Sequence, residues 1–212
     1  NIQEIQNKDR VDVILANPPF GGKEKANIQE NFPIKTGETA YLFLQHFIKK
    51  LKVGGRCGVV IKNTFLSNGD KQSIVLRKQL LEECNLFAIL DLPKGAFVGT
   101  GVQTVVLFFE KGSPTKKLWY YQLNVERNMG KTNPLNEGDL LDFIKLSNKQ
   151  KESDNSWFVD IEKINKSIWD LTVKNPNLRE KKDTRTPEEI IKNIENLQSE
   201  NTKYLNEIKK IL

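Results

Sequence analysis

Asn17, Pro18, Pro19 and Phe20 stand in a row directly after the apolar run Val11–Ala16. Two consecutive prolines remove two backbone donors and fix φ, so a strand arriving there cannot propagate. Asn17, ahead of the first proline, is pushed to an extended conformation. The quartet therefore makes a stiff loop that offers an amide oxygen, backbone carbonyls beside donor-free positions, and an aromatic face. Together these suit a planar group bearing an exocyclic NH2: the oxygens accept its hydrogens and the ring stacks on it. The competing reading is a bulged turn with Phe20 plugging the core, since Asn-Pro turns are common. At ordinary proline content such a quartet arises by chance in roughly one chain in several hundred. Its place just after a buried strand narrows that further and favours the functional reading.

Other residues offer less chemistry. Cys57 and Cys84 are the only cysteines, each among apolar neighbours and without CxxC or Cys/His spacing. They read as reduced, buried thiols. The single histidine, His46, lies in an apolar helical pattern with no neighbours for a metal site, so no metal is expected. Gly99-Thr100-Gly101 is the one glycine-rich candidate for holding a cofactor, and its context is wrong. A cofactor loop needs a strand before and a helix after, whereas this one opens into the strand-like run Val102–Phe109.

The elements that must position the quartet follow from periodicity. Val11–Ala16 is a short continuous apolar run, the pattern of a strand buried on both faces in a parallel sheet. A loop over 21–38 precedes a helix at Ala40–Leu51, with Leu42, Phe43, Phe47, Ile48 and Leu51 on one face and Gly54-Gly55 as its C-terminal stop. A second buried strand follows from Arg56. That strand, helix, strand unit is the signature of an α/β sheet. A helix at Ser73–Glu83 and a strand at Leu86–Pro93 come next. The turn over 95–101 returns as a strand from Val102, predicted to pair antiparallel as a hairpin at one side of the sheet. Lys117–Leu123 adds a further strand, and helix returns at Leu140–Leu146. An edge formed by parallel strand ends is where open α/β sheets place their ligands, so the quartet sits where a site belongs.

The tail is the clearest element. Thr186, Pro187 and Glu189 form a capping box with a proline start. Ile190, Ile194, Leu197, Asn201, Tyr204, Ile208 and Ile211 then recur at alternating steps of four and three. A heptad seam of this kind, on a helix about 37 Å long, packs along another helix, in a partner or in its own domain.

The 212 residues carry a net charge of +6. Residues 1–110 hold 14 basic and 11 acidic side chains, 111–180 hold 12 and 10, and 181–212 hold 7 and 6. The excess is spread, so charge permits a polyanionic partner without arguing for one. No signal peptide or transmembrane run is present, which gives the expectation of a soluble, cytoplasmic chain. It starts at Asn1 without a start signal, so a longer protein is expected.

Beyond the quartet, four ordered segments carry a resemblance: Asn17–Glu24, Tyr41–Leu66, Leu76–Gly112 and Thr132–Phe143. The quartet after a hydrophobic strand resembles the catalytic motif of S-adenosylmethionine-dependent amino methyltransferases, particularly the N6-adenine DNA enzymes. Together the segments resemble the modification subunit of type I restriction–modification systems, from about Asp12 to Phe143. The fold this implies is α/β: the C-terminal part of a Rossmann-like methyltransferase sheet with an antiparallel strand, followed by a helical tail.

The resemblance implies that a target adenine is flipped out of the duplex. Asn17 and the Pro18 carbonyl would accept from its N6 amino group, Pro19 would keep the loop rigid, and Phe20 would stack on one face. Phe97 falls where these enzymes carry an aromatic on the other face, a core phenylalanine being the alternative. It also implies S-adenosylmethionine as cofactor, its binding residues upstream and none identified here. The partners implied are DNA, a specificity subunit and a restriction subunit, with self-association if half a sheet is absent. Residues 1–123 then read as the C-terminal half of a catalytic domain, 124–185 as an irregular and helical extension, and 186–212 as a docking helix. The alternatives are an amino methyltransferase acting on RNA or protein glutamine, and a non-catalytic assembly module.

Overall fold

A computed structural model describes residues 2–97, 101–177 and 186–211. The chain divides into two compact units, residues 1–178 and 179–212. The first is built on a six-stranded sheet of β1 (Val11–Ala16), β2 (Leu51–Lys62), β3 (Cys84–Asp91), β4 (Thr104–Lys111), β5 (Lys117–Gln122) and β6 (Ser156–Asp160). The strand order is β1-β2-β4-β3-β5-β6. β1 pairs parallel with β2 and β3 with β5, while β4 runs antiparallel to both its neighbours and β6 antiparallel to β5. The hairpin of β3 and β4 is therefore present, but not at one side as expected. β4 is wedged between β2 and β3, and the sheet continues beyond β3 through β5 and β6.

Helices α2 (Thr39–Lys50) and α3 (Lys71–Glu83) lie on one face, where Leu44, Ile48, Leu76 and Leu80 pack with Val59, Ile61, Ile89 and Leu107. The other face carries Ala88, Leu90, Trp119 and Tyr121, against which Leu140, Phe143 and Leu146 of α4 (Glu137–Ser147) pack. A one-turn helix, α1 (Ala26–Gln29), interrupts the loop over 21–38.

Three local expectations change. α2 buries Tyr41, Leu44 and Ile48, while Phe43 is 39% exposed and Phe47 half-buried. The expected face otherwise holds, with Leu42, Ile48 and Leu51 buried and Phe47 packed against the core; Gln45 is also turned inward, where it bonds the Ile34 backbone in both directions. Gly54-Gly55 do not stop α2, which ends at Lys50 and runs straight into β2. They lie in an irregularity of the β1–β2 register, Gly54 at φ +80°, a left-handed conformation that glycine adopts without strain. Finally, β1 is an edge strand with only Ile14 and Ala16 packed against the core. Val13 and Leu15 are 64% and 81% exposed, so β1 is not buried on both faces.

Arg77, fully buried on α3, ties the layers together. Its guanidinium donates to the carbonyls of Phe65, Asn68, Ile168 and Trp169 at 2.7–2.8 Å. It thereby pins the 3-10 turn Asn63–Leu66 after β2 and the strap 164–171 to α3. The second unit contains α5 (Pro187–Ile211). The capping box is formed as expected, the Thr186 backbone N–H donating to Glu189 and the Glu189 N–H to Thr186 Oγ1. Ile191, Ile194, Leu197, Tyr204, Leu205 and Ile208 are all more than half exposed. No helix among the described residues is long and apolar enough to cross a membrane.

Replacing Arg77 by Ala removes the donor from four carbonyls, one of them buried and three part-buried, each lost partner costing about 1–3 kcal/mol where water cannot replace it. The expected loss is on the order of 3 kcal/mol or more, read as a lowered denaturation midpoint; an unchanged midpoint would contradict the pinning role.

Candidate active site

The pairing of β1 ends with Ala16 opposite Val59, and the quartet leaves the sheet at the C-terminal end of its parallel strands. Asn17 is exposed, Pro18 buried, Pro19 exposed and Phe20 half-buried. Among the described residues neither the Asn17 side chain nor the Pro18 carbonyl has a hydrogen-bond partner. Both oxygens are thus available as acceptors beside one another in sequence, on a backbone stiffened by two prolines.

Phe97 comes to this loop from the segment between β3 and β4, with β2 lying between these strands and β1 in the sheet. Its ring centroid lies 5.0 Å from that of Phe20, edge to face at 67°. The structure therefore brings together the two aromatics that the sequence singled out separately. A planar guest sandwiched between two rings needs them about 7 Å apart, two van der Waals contacts. Admitting one here means parting the rings by about 2 Å, or placing the guest on Phe20 with Phe97 edge-on.

Two sets of contacts hold these walls. Downstream of the quartet, Gly22 sits at φ +136° and accepts from the Thr39 N–H at 3.4 Å. Thr39 Oγ1 donates to Glu24 at 3.0 Å, and Lys62 at the end of β2 pairs with Glu38 at 3.5 Å. A Cβ on Gly22 would stand 2.7 Å from Thr39 Oγ1, so the start of α2 and the quartet's loop fit only with glycine there. On the other wall, Gly95 at φ +83° lets the Met129 carbonyl approach to 2.6 Å from where a Cβ would be. The Met129 turn is itself closed by the bidentate pair of Arg127 and Asp139.

At the root of the Phe97 segment, Asp91 Oδ1 accepts from Asn63 Nδ2 and from Gln103 Nε2, each at 3.2 Å. Burial raises the Asp91 carboxyl above its ordinary range, while the bonds from Gln103 and Asn63 hold it down in part. The sequence reading did not single out Asn63, Asp91, Gln103, Thr39 or Glu24. A usable signal existed for two of them: Asn63 and Asp91, like Asn17, lie at the polar end of an apolar strand.

Cys57 and Cys84 are buried, and burial pushes both thiols up to about 12, which makes them unreactive. His46, on α2, is lowered by burial and by Lys50. Among the described residues no group of three or more metal-ligating side chains exists. Gly99 and Thr100 lie outside the described residues; Gly101 leads towards strand β4 rather than a helix. Of the two glycines after β1, Gly22 is engaged with Thr39.

The sequence profile of the N-6 DNA methylase family matches residues 2–185. The EcoEI type I restriction enzyme methylase subunit of Escherichia coli is 38% identical over 224 residues, covering 96% of this chain and 44% of that protein. A chain of a type I R-M system, solved to explain its complex assembly and conformational transition, superposes with a TM-score of 0.78 at 34% identity. The match covers 100% of this chain and 47% of that one. The crystal structure of the EcoKI M protein gives a TM-score of 0.59 at 33% identity, over 65% and 30%. The present chain thus spans less than half the length of the relatives it matches. Its α/β sheet is the fold of S-adenosylmethionine-dependent methyltransferases.

The raised Asp91 carboxyl has a consequence for stability. With its folded value above its unfolded one, its favourable contribution is complete below the unfolded pKa and is lost as pH rises through the folded value. Asp91→Asn should therefore become more stable relative to wild type between acid and neutral pH. Denaturant titrations at several pH values check this, and a slope of opposite sign would refute it.

Proposed function

The chain belongs to the N-6 DNA methylase family, and from that premise we propose that it supplies the base-accepting part of an N6-adenine DNA methyltransferase, the modification subunit of a type I restriction–modification system. The observation that carries this reading is the pair of unpartnered acceptors, Asn17 Oδ1 and the Pro18 carbonyl, next to the Phe20–Phe97 aromatic pair.

The chemistry follows from those atoms. An adenine turned out of the duplex lays its ring on Phe20, with Phe97 on the opposite side. Its two N6 hydrogens meet the Asn17 amide oxygen and the Pro18 carbonyl. Accepting both hydrogens draws the N6 lone pair out of conjugation with the ring and raises its nucleophilicity. Pro19 prevents the loop from relaxing towards strand geometry, so the acceptors need no reorganisation when the base arrives. S-adenosylmethionine is the family's methyl donor. Its cradle is assigned to the remainder of the full-length protein, since Gly101 leads into β4 rather than into a helix as a cofactor loop requires. The free edge of β1, with Val13 and Leu15 exposed, suits further strands of that remainder; in isolation the same edge favours self-association.

Residues 1–123 are accordingly the catalytic part, 124–185 an extension and 186–212 the docking helix. Ile191 and Leu205 lie beside the heptad seam of α5 and widen it beyond what one partner helix covers. The specificity subunit is the proposed occupant, with the restriction subunit joining the same assembly.

Asn17→Ala in the full-length protein with its partner subunits should lower methyl transfer by about 100-fold or more while sparing DNA binding. Mass spectrometry for N6-methyladenine in plasmid DNA is the measurement, and normal turnover in that variant would sink the assignment. Methylation found instead on RNA or on a protein glutamine would redirect the same site chemistry to another substrate. Calorimetric titration of this chain alone with S-adenosylmethionine should show no tight binding. Deleting 186–212 should weaken subunit assembly in co-purification; unchanged assembly would return the α5 seam to packing within its own protein.

A further inference from the structure

The segment that carries Phe97 leaves the sheet at the end of β3 and returns at the start of β4. Its two ends are closed by main-chain bonds, the Leu92 N–H donating to the Thr104 carbonyl at 3.1 Å and the Asn63 N–H to the Gln103 carbonyl at 2.9 Å. The Asp91 backbone is fixed in turn, its carbonyl accepting from the Leu123 N–H at 2.9 Å. The one ionisable side chain in this closure is Asp91. Its single oxygen Oδ1 takes Asn63 Nδ2 from the end of β2 and Gln103 Nε2 from the entry to β4. Three strand ends thus converge on one carboxylate, which a core that only needed filling would not require. A half-buried charge held by two neutral amides is an expensive choice for stability alone. An apolar side chain between β3 and β4 would close the sheet at lower cost.

We infer that Asp91 is a positioning residue for the aromatic wall, setting Phe97 against the base face through Gln103 and Asn63. This rests on the reading of Phe97 as a base-stacking residue. Asp91 itself touches neither Phe20 nor the quartet, so its action is indirect. Gly95, pressed by the Met129 carbonyl, limits the segment from its outer side, and Asp91 limits it at its root. With both in place the Phe97 ring has little freedom, and misplacement of a positioning group by about 1 Å can cost on the order of 100-fold in rate.

The test is a double-mutant cycle in the full-length protein assembled with its partner subunits, read as kcat and KM for duplex DNA, with S-adenosylmethionine affinity and thermal midpoint measured alongside. Asp91→Ala should lower kcat/KM for DNA about ten-fold or more, with the cofactor affinity and the midpoint kept. Asp91→Asn retains an oxygen in the same place and should restore most of the loss. In a Phe97→Ala background, Asp91→Ala should add nothing, since both act through the same ring. An additive loss in that background overturns the inference and leaves Phe97 as a stacking residue. A harmless Phe97→Ala overturns the stacking reading and the inference with it. Should Asp91→Ala fail to fold, Gln103→Ala removes the donor on the loop's own side and completes the same cycle, with additivity again the overturning result.

Discussion

A guanidinium whose hydrogen bonds go to backbone carbonyls ties the elements of this molecule together. Arg77 is buried on α3 and satisfies its charge with backbone carbonyls of Phe65, Asn68, Ile168 and Trp169. Burial lowers its pKa, while Tyr41, Asp170 and Asp70 pull the other way; an arginine keeps its proton under any ordinary condition, and carbonyl dipoles take its hydrogen bonds. Carbonyls from two separate segments are drawn to one point, and a helix, the turn after β2 and the strap 164–171 become one body. That turn begins at Asn63. Asn63 joins the bond between Gln103 and Asp91, which the β3–β4 pairing brings together, and these residues stand at the root of Phe97.

The site is consequently made from strand ends rather than from a single loop. β1 contributes acceptors because two prolines stop it from continuing; β2, β3 and β4 contribute a clamp because their ends converge on a carboxylate. The acceptor wall is rigid through covalent geometry. The aromatic wall is held by tertiary contacts, among them the Asp91 clamp, the Gly95–Met129 approach and the contact with Phe20 itself. The division is physically sensible, since a base must enter between the walls and at least one must yield.

Much of this was legible in residue order. Val11–Ala16 with its proline stop, the α2 and α3 helices, the antiparallel return at β4 and the capping box at Thr186 all follow from local chemistry. What could not be read was partnership. β4 looks like an outer hairpin strand because nothing in Val105–Phe109 says which neighbour lies on its other side. Val13 and Leu15 look buried because apolar residues in a short run usually are; they are exposed because only the Ile14 and Ala16 face of β1 is covered among the described residues. On α2 only Phe43 departs from the expected inner face, and Leu44 beside it is the buried one, because two adjacent residues of equal apolarity do not say which turns inward.

The sequence by itself determined the strand stop, the acceptor chemistry of Asn17 and Pro18, the stacking face of Phe20 and the end of the α5 helix, because each arises from fixed φ values, missing donors or caps within a few residues. The tertiary structure alone decided that Phe97 meets Phe20, that Asp91 binds Asn63 and Gln103, and that β4 lies inside the sheet. Those contacts join residues from different strands, and their geometry is set by strand order and pairing, which is not encoded at any single position.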